Sequence, residues 1–448
     1  MAKTFREWKV EQAWLLPPSV RELVPEGDPA HFVRDLVREQ LDLGAILDTY
    51  GEERGAPPYH PVMLTALLLY AFTQGVYSSR RIARGCLTRV DFMAVTARQQ
   101  PDFRTISDFR LRHLKALAGL FGQVLKLCQK AKMVKLGHVA LDGTKVKANA
   151  SKHKAMTYDR MKKTAKELEG EVAQWFEQAD AADEAEDREY GRGKRGDELP
   201  EWVTDKKKRL EVIHAAMEEL KAEAKAQLAA GMKPAPEKKP SETDGPDKPP
   251  RGRSKKAKRP TKDGEPHEKK QLNFTDSDSK ILKGPHGFMQ GYNCQAAVDS
   301  TAQIIVAHAT GNAQADAPQL IPMVKLIRAN TGRNPDEFSA DAGYVSEENL
   351  KDLRRRRINA YIATGREKPG KKRLRVGSLG QQMRTKLARA GHRSRYRLRK
   401  QVVEPVFGQM KEGRGFRGML LRGMHKVPHE WALLCTAHNL LKLARRAA

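Results

Sequence analysis

Three acidic residues are the most informative chemical groups in this 448-residue chain. Asp142 follows a short apolar run in HVALDGTKVKA, and Asp341 ends another in EFSAD. Glu404 lies in VVEPVFGQMKEGRGFRG, among apolar side chains and directly before a proline. Residues 350–448 around it contain 27 Lys and Arg but five Asp and Glu. A carboxylate at this place needs an explanation other than ordinary surface charge.

The pattern around these acids predicts a sheet that could bring them together. Residues 138–148 indicate a buried strand that ends at Asp-Gly, 292–311 indicate a hairpin, and EFSAD indicates a fourth strand. With an insertion set aside, the order of strands and helices predicts a mixed sheet with helices on its faces. If strands one and four are neighbours, Asp142 and Asp341 emerge at one edge, and a C-terminal helix could bring Glu404 beside them.

Three carboxylates at one sheet edge repel each other unless cations lie between them. Such hard oxygen ligands favour Mg²⁺ or Mn²⁺. Two ions about 3.5–4 Å apart would activate a water or a 3′-hydroxyl and stabilise the leaving oxygen of a phosphodiester. Each acid alone also fits a simple turn, and Asp299 and Asp316 of the same predicted core could be outer or structural groups.

The basic composition predicts a polyanionic partner. The formal net charge is +28 and the pI is near 9.9, which favours nucleic acid over an anionic membrane surface. A merely soluble basic surface is the alternative. Because most of the excess lies in residues 350–448, the distribution favours a binding face.

Residues 1–132 predict an all-helical region. A buried helix follows Pro61, and the next amphipathic helix carries three arginines, Arg80, Arg81 and Arg84. Three short helices of this kind could form a DNA reader similar to a helix-turn-helix. An ordinary bundle with solvated arginines is the alternative, and the overall charge favours DNA contact.

Residues 151–287 predict an insertion into the sheet domain. Charged helical sequence over about 157–230 predicts an antiparallel hairpin, and the Pro- and Lys-rich stretch of about 231–271 predicts disorder. Residues 251–270 hold nine basic and three acidic side chains. They fit a nonspecific DNA-contacting tether and a solvated linker equally well.

Several classes of protein are disfavoured. The four cysteines are scattered without a CxxC pair, which favours neither a zinc site nor a disulfide framework and fits a reducing cytosol. The sequence predicts no signal peptide, no membrane helix and no phosphate loop, so we expect a cytoplasmic protein without a nucleotide cofactor. Three histidines without metal-ligand spacing are expected to be structural: His138, His308 and His438.

The acidic motifs resemble those of the bacterial insertion-sequence DDE transposases, nearly from end to end of the chain. LDGTKVKANASKHKAMTY is similar to their first acidic motif, GYNCQAAVD to the following strand, ADAGYVSEENL to the second acidic motif and VVEPVFGQMKEGRGF to the third. PYHPVMLTALLLYAFTQGVYSSRRIARG resembles their N-terminal domain.

This resemblance implies an α/β, RNase H-like fold, in which a mixed sheet with flanking helices follows an all-α N-terminal domain. The predicted domains are 1–132, the catalytic domain of 133–150 plus 288–448, and the insertion 151–287. The resemblance also implies that the metal-binding and catalytic triad consists of Asp142, Asp341 and Glu404.

The third motif of the family, Y-(2)-R-(3)-E-(6)-K, places a phosphate-binding lysine at Lys411. Its arginine position holds Lys400, while Tyr396 lies one residue early and stays open. Lys411 should share a helix face with Glu404, seven residues before it. Pro405 predicts a helix that starts near Glu404 or kinks there.

The resemblance implies a DNA transposase that binds the terminal inverted repeats of its element. It would hydrolyse the phosphodiester there and transfer the strand to target DNA with Mg²⁺ or Mn²⁺, two ions being expected. A homodimer on the nucleoid DNA is the expected assembly. The alternatives are a catalytically inactive DNA-binding protein derived from a transposase and an RNase H-like nuclease.

Overall fold

The computed structural model describes residues 19, 22–51, 58–190, 201–232, 234–235, 259–284, 287–365, 377–390 and 392–447. For 175–190 and 201–204 it describes the backbone alone. The chain divides into two compact units, which are described separately. Unit 1 comprises Met1–Val146 and Asn293–Ala448, and unit 2 comprises Lys147–Tyr292. The finer domain boundaries predicted above stay predictions.

The described residues before 132 are helical, as predicted. Their helices are α1 (Pro29–Glu39), α2 (Gly44–Leu47), α3 (Pro61–Thr73), α4 (Ser79–Thr88), α5 (Val90–Thr96), α6 (Phe103–Arg112) and α7 (Leu114–Lys130). Helix α1 begins after Asp28, whose carboxylate accepts the backbone N–H of Ala30 at 2.7 Å. Helix α3 begins with Pro61 in its first turn and is buried along nearly its whole length. It is therefore a core helix, not a surface one.

Strand β1 (His138–Lys147) leads from unit 1 into unit 2. Unit 2 contains β2 (Ala155–Thr157), α8 (Tyr158–Tyr190), α9 (Glu201–Ala229), β3 (Gln271–Asn273), β4 (Lys280–Gly284) and the beginning of β5 (Gly287–Asp299). Helices α8 and α9 pack against each other, where the sequence predicts a helical hairpin. They share a hydrophobic core of buried residues: Tyr158, Met161, Ala165, Leu168, Ile213, Ala216, Leu220 and Leu272.

Part of the linker that the sequence predicts to be disordered has defined contacts. The backbone N–H of Tyr158 donates to the carbonyl of Lys270 at 2.8 Å, and its hydroxyl donates to Glu265 at 2.6 Å. The prediction of disorder is therefore wrong for 259–271, because a buried tyrosine of the helical core bonds to this stretch. Most of the remaining predicted linker, 236–258, lies outside the described residues.

The rest of unit 1 completes a mixed sheet and its helices. Its elements are the end of β5, β6 (Ile304–Gly311), α10 (Leu320–Thr331), β7 (Glu337–Ala340), α11 (Glu347–Arg355), β8 (Asn359–Ile362), α12 (Leu379–Ala390), α13 (Arg399–Gly408), a π-helical turn (Gln409–Gly413) and α14 (Val427–Ala447). Within unit 1 the strand order is β6–β5–β1–β7–β8, with β6 antiparallel to β5 and β7 parallel to both β1 and β8. Within unit 2, β4 is antiparallel to the beginning of β5 and belongs to the same sheet. This mixed α/β architecture is consistent with the predicted RNase H-like fold.

Helix α14 joins the sheet to the N-terminal helices within unit 1. It packs against α7, α3 and β6. The Asn439 amide accepts the N–H of Ile305 and donates to its carbonyl, both at 2.9 Å, and the Trp431 indole donates to the carbonyl of Gln295 at 3.1 Å. These bonds satisfy buried polar groups that would otherwise destabilise the core. Helix α14 is therefore bonded directly to β5 and β6 of the sheet.

Candidate active site

The register of two neighbouring strands brings Asp142 and Asp341 side by side. Strands β1 and β7 are parallel and pair from His138 with Glu337 to Leu141 with Ala340. The residue after Leu141 on β1 is Asp142, and the residue after Ala340 on β7 is Asp341. This confirms that the predicted first and fourth strands, here β1 and β7, are neighbours, which was the condition for the predicted site.

Strand β1 does not end at Asp142, so the prediction that this strand ends at Asp-Gly is wrong. The strand continues to Lys147, and the burial of its side chains alternates beyond Gly143. Thr144 and Val146 are buried, Lys145 is half-buried and Lys147 is exposed. Alternation of this kind is typical of an extended strand. Only β7 ends at this level, so Asp142 lies where its neighbour strand stops.

Local hydrogen bonds fix both carboxylates. The N–H of Gly143 donates to Asp142 Oδ1 at 2.8 Å, and the N–H of Gly343 donates to Asp341 Oδ1 at 2.8 Å. Asp341 thereby caps a 3₁₀ turn, Ala342–Tyr344. The guanidinium of Arg399, the first residue of α13, lies 3.4 Å from Asp142 Oδ2. The sheet edge therefore presents two anchored acids, and α13 adds one cation beside Asp142.

Burial is the main influence on the charge of Asp142. Loss of solvent, together with the negative charges of Asp341 and Asp316, raises the pKa of this carboxyl from its ordinary value to about 6. The Gly143 N–H and Arg399 act in the opposite direction. A carboxylate pair with little solvent and mutual repulsion is the electrostatic setting in which a bound cation is most stabilising.

The donor set fits a hard divalent cation in part. Mg²⁺ is commonly held by one or two carboxylates, with water and phosphate oxygens completing its shell, and Asp142 and Asp341 supply such a pair. Among the residues that the structure describes, however, no group of three or more His, Cys, Asp or Glu side chains is arranged to hold a metal ion. The strand register thus brings two of the three predicted acids close together.

Glu404 lies in the sixth position of α13 and is exposed. The helix begins at Arg399 and passes through Pro405, so of the two predicted alternatives the start near Glu404 is wrong, and the kink stays a prediction. Because proline lacks an N–H, the Gln401 carbonyl loses its helical donor. The side chain of Gln303 donates to that carbonyl at 3.1 Å instead. This substitute bond explains how the proline is accommodated inside the helix.

The C-terminal cations occupy different environments. The Lys411 amine donates to the carbonyl of Lys145 on β1 at 2.9 Å, and burial lowers its pKa. Lys400 is exposed, whereas Arg399 contacts Asp142. This contact makes Arg399 a second candidate for the cation of the motif, and the two residues that separate it from Tyr396 match the spacing of the motif. The Tyr396 ring itself lies 6.5 Å from that of Tyr361.

Family models match both ends of the chain. One described as Transposase domain (DUF772) matches residues 18–112, and one described as Transposase DDE domain matches residues 266–440. The chain belongs to the insertion-sequence DDE transposases. The second match includes Asp341 and Glu404, whereas Asp142 lies between the two matches. The comparison with curated proteins found no match, and neither did the comparison with solved structures.

The three predicted arginines of this transposase lie on α4, within the first match. Arg80, Arg81 and Arg84 are all exposed, and the guanidinium of Arg80 lies 5.0 Å from the centre of the Phe103 ring. Phe103 is itself 37% exposed. The helix thus presents a basic surface with an aromatic ring beside it.

His138 and His438 are buried and His308 is half-buried, and each of the three contacts a neighbouring residue of the fold. His138 bonds to the Ser339 hydroxyl at 2.8 Å and His438 to the Gln303 carbonyl at 2.9 Å, while His308 packs edge-on against Phe121. Burial lowers the pKa of His138 and of His308 to about 4.

None of the helices in the described part of the chain combines the length and hydropathy needed to cross a membrane.

Proposed function

We propose that this transposase binds the terminal inverted repeats of its element, hydrolyses the phosphodiester at each end and joins the freed 3′-hydroxyl to target DNA. The observation that supports this most directly is the paired register of Asp142 and Asp341 at one sheet edge. A homodimer on DNA would act on both ends. The substrate is chromosomal DNA, so we expect the protein at the nucleoid in the cytoplasm.

In this proposal Asp142 and Asp341 hold Mg²⁺ or Mn²⁺, and Glu404 supplies the third carboxylate. When bound, two such ions supply an activated oxygen nucleophile and stabilise the leaving oxygen. The two aspartates are held in place by the N–H groups of Gly143 and Gly343. Glu404 lies five residues after Arg399, about 7.5 Å along the helix axis. It belongs to the same helix that touches Asp142 and can join the pair when DNA is bound.

The cations of unit 1 bind the phosphate backbone. Lys411 and Arg399 lie at the sheet edge, where a scissile phosphate would approach the two aspartates. Lys400, exposed on α13, would contact a neighbouring phosphate. We assign Arg80, Arg81 and Arg84 of α4 to the recognition of the element ends. Contacts of this type make binding strongly dependent on salt.

Strand cleavage tests the proposal. The substrate is a supercoiled plasmid that carries the coding segment of this chain with its natural flanking DNA. We expect nicks at the two ends in Mg²⁺ or Mn²⁺ and none with EDTA. Asp142→Asn should abolish nicking but retain DNA binding, and Asp336→Asn, a matched change at an exposed ion pair with Arg333, should retain both. Full nicking by Asp142→Asn would contradict the assignment.

A catalytically inactive DNA-binding protein is the second candidate. It is favoured by the contact of Arg399 with Asp142, since a guanidinium can neutralise a carboxylate that would otherwise take a cation. Binding of the end-containing plasmid without nicking, in both Mg²⁺ and Mn²⁺, would support this candidate. Cleavage of an RNA–DNA hybrid in preference to end-containing DNA would instead indicate an RNase H-like nuclease.

A further inference from the structure

A fourth acid, Asp316, lies beside the two aspartates and is held by three donors. Its Oδ1 accepts bonds from Asn293 Nδ2 at 2.7 Å, Gln295 Nε2 at 3.0 Å and Lys145 Nζ at 3.2 Å. Its side chain is 21% exposed and that of Lys145 is 17% exposed. Three donors on one carboxylate oxygen in so little solvent fix the position of the acid.

The charge of Asp316 determines how the two amides are oriented. A carboxylate accepts hydrogen bonds and does not donate them, so both amides turn their NH₂ groups towards it. The carbonyl oxygen of Gln295 is then directed at the hydroxyl of Tyr344, which donates a hydrogen bond to it. A reversed Gln295 amide would present NH₂ groups to the tyrosine and leave Asp316 without this donor.

This chain of bonds reaches Asp341 through the backbone. Tyr344 is fully buried and ends the 3₁₀ turn that Asp341 caps. Little space remains around these hydrogen-bonded residues, because a Cβ added at Gly343 would lie 3.0 Å from Asp341 Oδ1 and 3.2 Å from Asp316 Oδ2. The same atom at Gly143 would lie 2.9 Å from Asp316 Oδ1. The two glycines thus allow Asp316 to approach both metal-binding acids.

We infer that Asp316 is a positioning residue of the active site, which orients Gln295 and, through Tyr344, the turn that carries Asp341. The inference rests on the proposed function, in which Asp142 and Asp341 bind the metal. Its role is separate from metal ligation, and its charge adds to the negative potential that attracts a divalent cation. Residues that orient metal ligands in this way commonly change metal affinity by about 10–100-fold when substituted.

Metal binding by the full chain without DNA tests this inference. Isothermal titration with Mn²⁺ would be carried out on the unaltered protein, Asp316→Asn and the matched surface variant Asp336→Asn. We expect Asp316→Asn to weaken Mn²⁺ binding about 10–100-fold, with end-DNA affinity in EDTA unchanged. Asp336→Asn should bind Mn²⁺ as the unaltered protein does. Equal Mn²⁺ affinity in all three proteins would overturn the inference.

A second variant makes the test independent of how well Asp316→Asn folds. Tyr344→Phe removes one oxygen atom and should weaken Mn²⁺ binding by a smaller factor than Asp316→Asn. If the two residues act through one chain of bonds, the double variant should lose less than the product of the two single factors. The positioning role would be contradicted if the loss of Mn²⁺ affinity in the double variant equalled the product of the two single losses. An unchanged Mn²⁺ affinity in Tyr344→Phe would also contradict it.

The outcomes separate this inference from the proposed function. Normal Mn²⁺ binding and nicking in Asp316→Asn would overturn the inference and leave the proposed function intact. An unaltered protein that binds no Mn²⁺ and makes no nicks would overturn both. Weakened Mn²⁺ binding, with nicking restored at higher Mn²⁺ concentration, would support both, because a positioning residue changes the metal requirement and leaves the reaction available.

Discussion

The sheet edge with Asp142 and Asp341 differs from the segment of α13 that carries Glu404. Each aspartate accepts a backbone N–H at 2.8 Å, and Asp142 also meets a guanidinium. Glu404 is exposed, in a helix that contains a proline and passes into a π-helical turn. Two of the proposed ligands are therefore built into the sheet, and the third is carried by an irregular helix.

The difference has a physical origin. Paired strands fix the register of their residues, so two acids at equivalent positions are neighbours without further adjustment. A helix on the face of a sheet can rotate or shift by a small amount at a lower cost in hydrogen bonds. We therefore expect the pair to bind metal before DNA arrives and Glu404 to join afterwards.

The largest expected effect is on catalysis. It tests directly whether the two aspartates bind metal before DNA arrives and Glu404 joins them afterwards. Asp341→Asn and Glu404→Gln should each reduce nicking by roughly 1000-fold or more, because loss of a metal ligand removes several kcal/mol of transition-state stabilisation. Without DNA, only Asp341→Asn should lose Mn²⁺ binding in a titration. Equal loss of Mn²⁺ binding in both variants would show that all three acids form the site before DNA binds.

Stability as a function of pH is expected to show the next largest effect. The folded pKa of Asp142, about 6 against an ordinary 3.8, means that the folded state binds the proton more tightly. Ionisation therefore destabilises the fold as pH rises from about 4 through 6, by about 3 kcal/mol in total. In EDTA at pH 7.5, Asp142→Asn should be more stable than the unaltered protein by about 1–3 kcal/mol, with loss of the Arg399 contact as an offset.

Chemical denaturation at pH 7.5 and pH 4 measures this difference, which should nearly vanish at the lower pH. Glu404→Gln is the matched control, since its exposed side chain should change the free energy of unfolding by less than about 0.5 kcal/mol. The measured quantity is the free energy of unfolding of Asp142→Asn minus that of the unaltered protein. If this difference is the same at pH 7.5 and at pH 4, ionised Asp142 does not destabilise the fold.

Gly143 on β1 and Gly408 on α13 allow the packing of the sheet edge to be compared with that of the helix that carries Glu404. A Cβ at Gly143 would lie 2.5 Å from Gln295 Nε2, whereas nothing lies within 4 Å of the corresponding atom at Gly408 in α13. Gly143→Ala should destabilise the fold by about 1–3 kcal/mol, and Gly408→Ala should stabilise it by up to about 1 kcal/mol. Denaturant midpoints measure both. A tolerated Gly143→Ala would show that the sheet edge is looser than its contacts imply.

The smallest expected effect concerns the proline of α13. Pro405→Ala restores an N–H that can bond to the Gln401 carbonyl, which Gln303 now satisfies. Because that carbonyl already has a donor, the expected gain in stability is about 1 kcal/mol, well below the roughly 3 kcal/mol of an uncompensated helix proline. Gln303→Ala should make the Pro405→Ala gain larger. The same gain with and without Gln303 would contradict the substitute bond.

Much of the fold could be predicted from local pattern. The hairpin of β5 and β6, the burial of α3 after Pro61 and the serine cap of α11 follow from alternation, proline position and capping. The Asp-Gly pair predicts the end of β1, whereas the alternating TKVK that follows it continues the strand to Lys147. The contacts of residues 259–271 were also missed, since they depend on a tyrosine more than 100 positions away.

The residue types and their order were determined by the sequence alone: three acids at strand and helix positions, a basic C-terminal quarter and the motifs of a transposase. Tertiary structure decided which of these groups meet. Arg399, not Lys400, contacts Asp142, and Asp316 lies beside the pair through bonds to Asn293 and Gln295. Such contacts join residues far apart in the chain and depend on register and helix phase. Spacing along one chain does not contain that information.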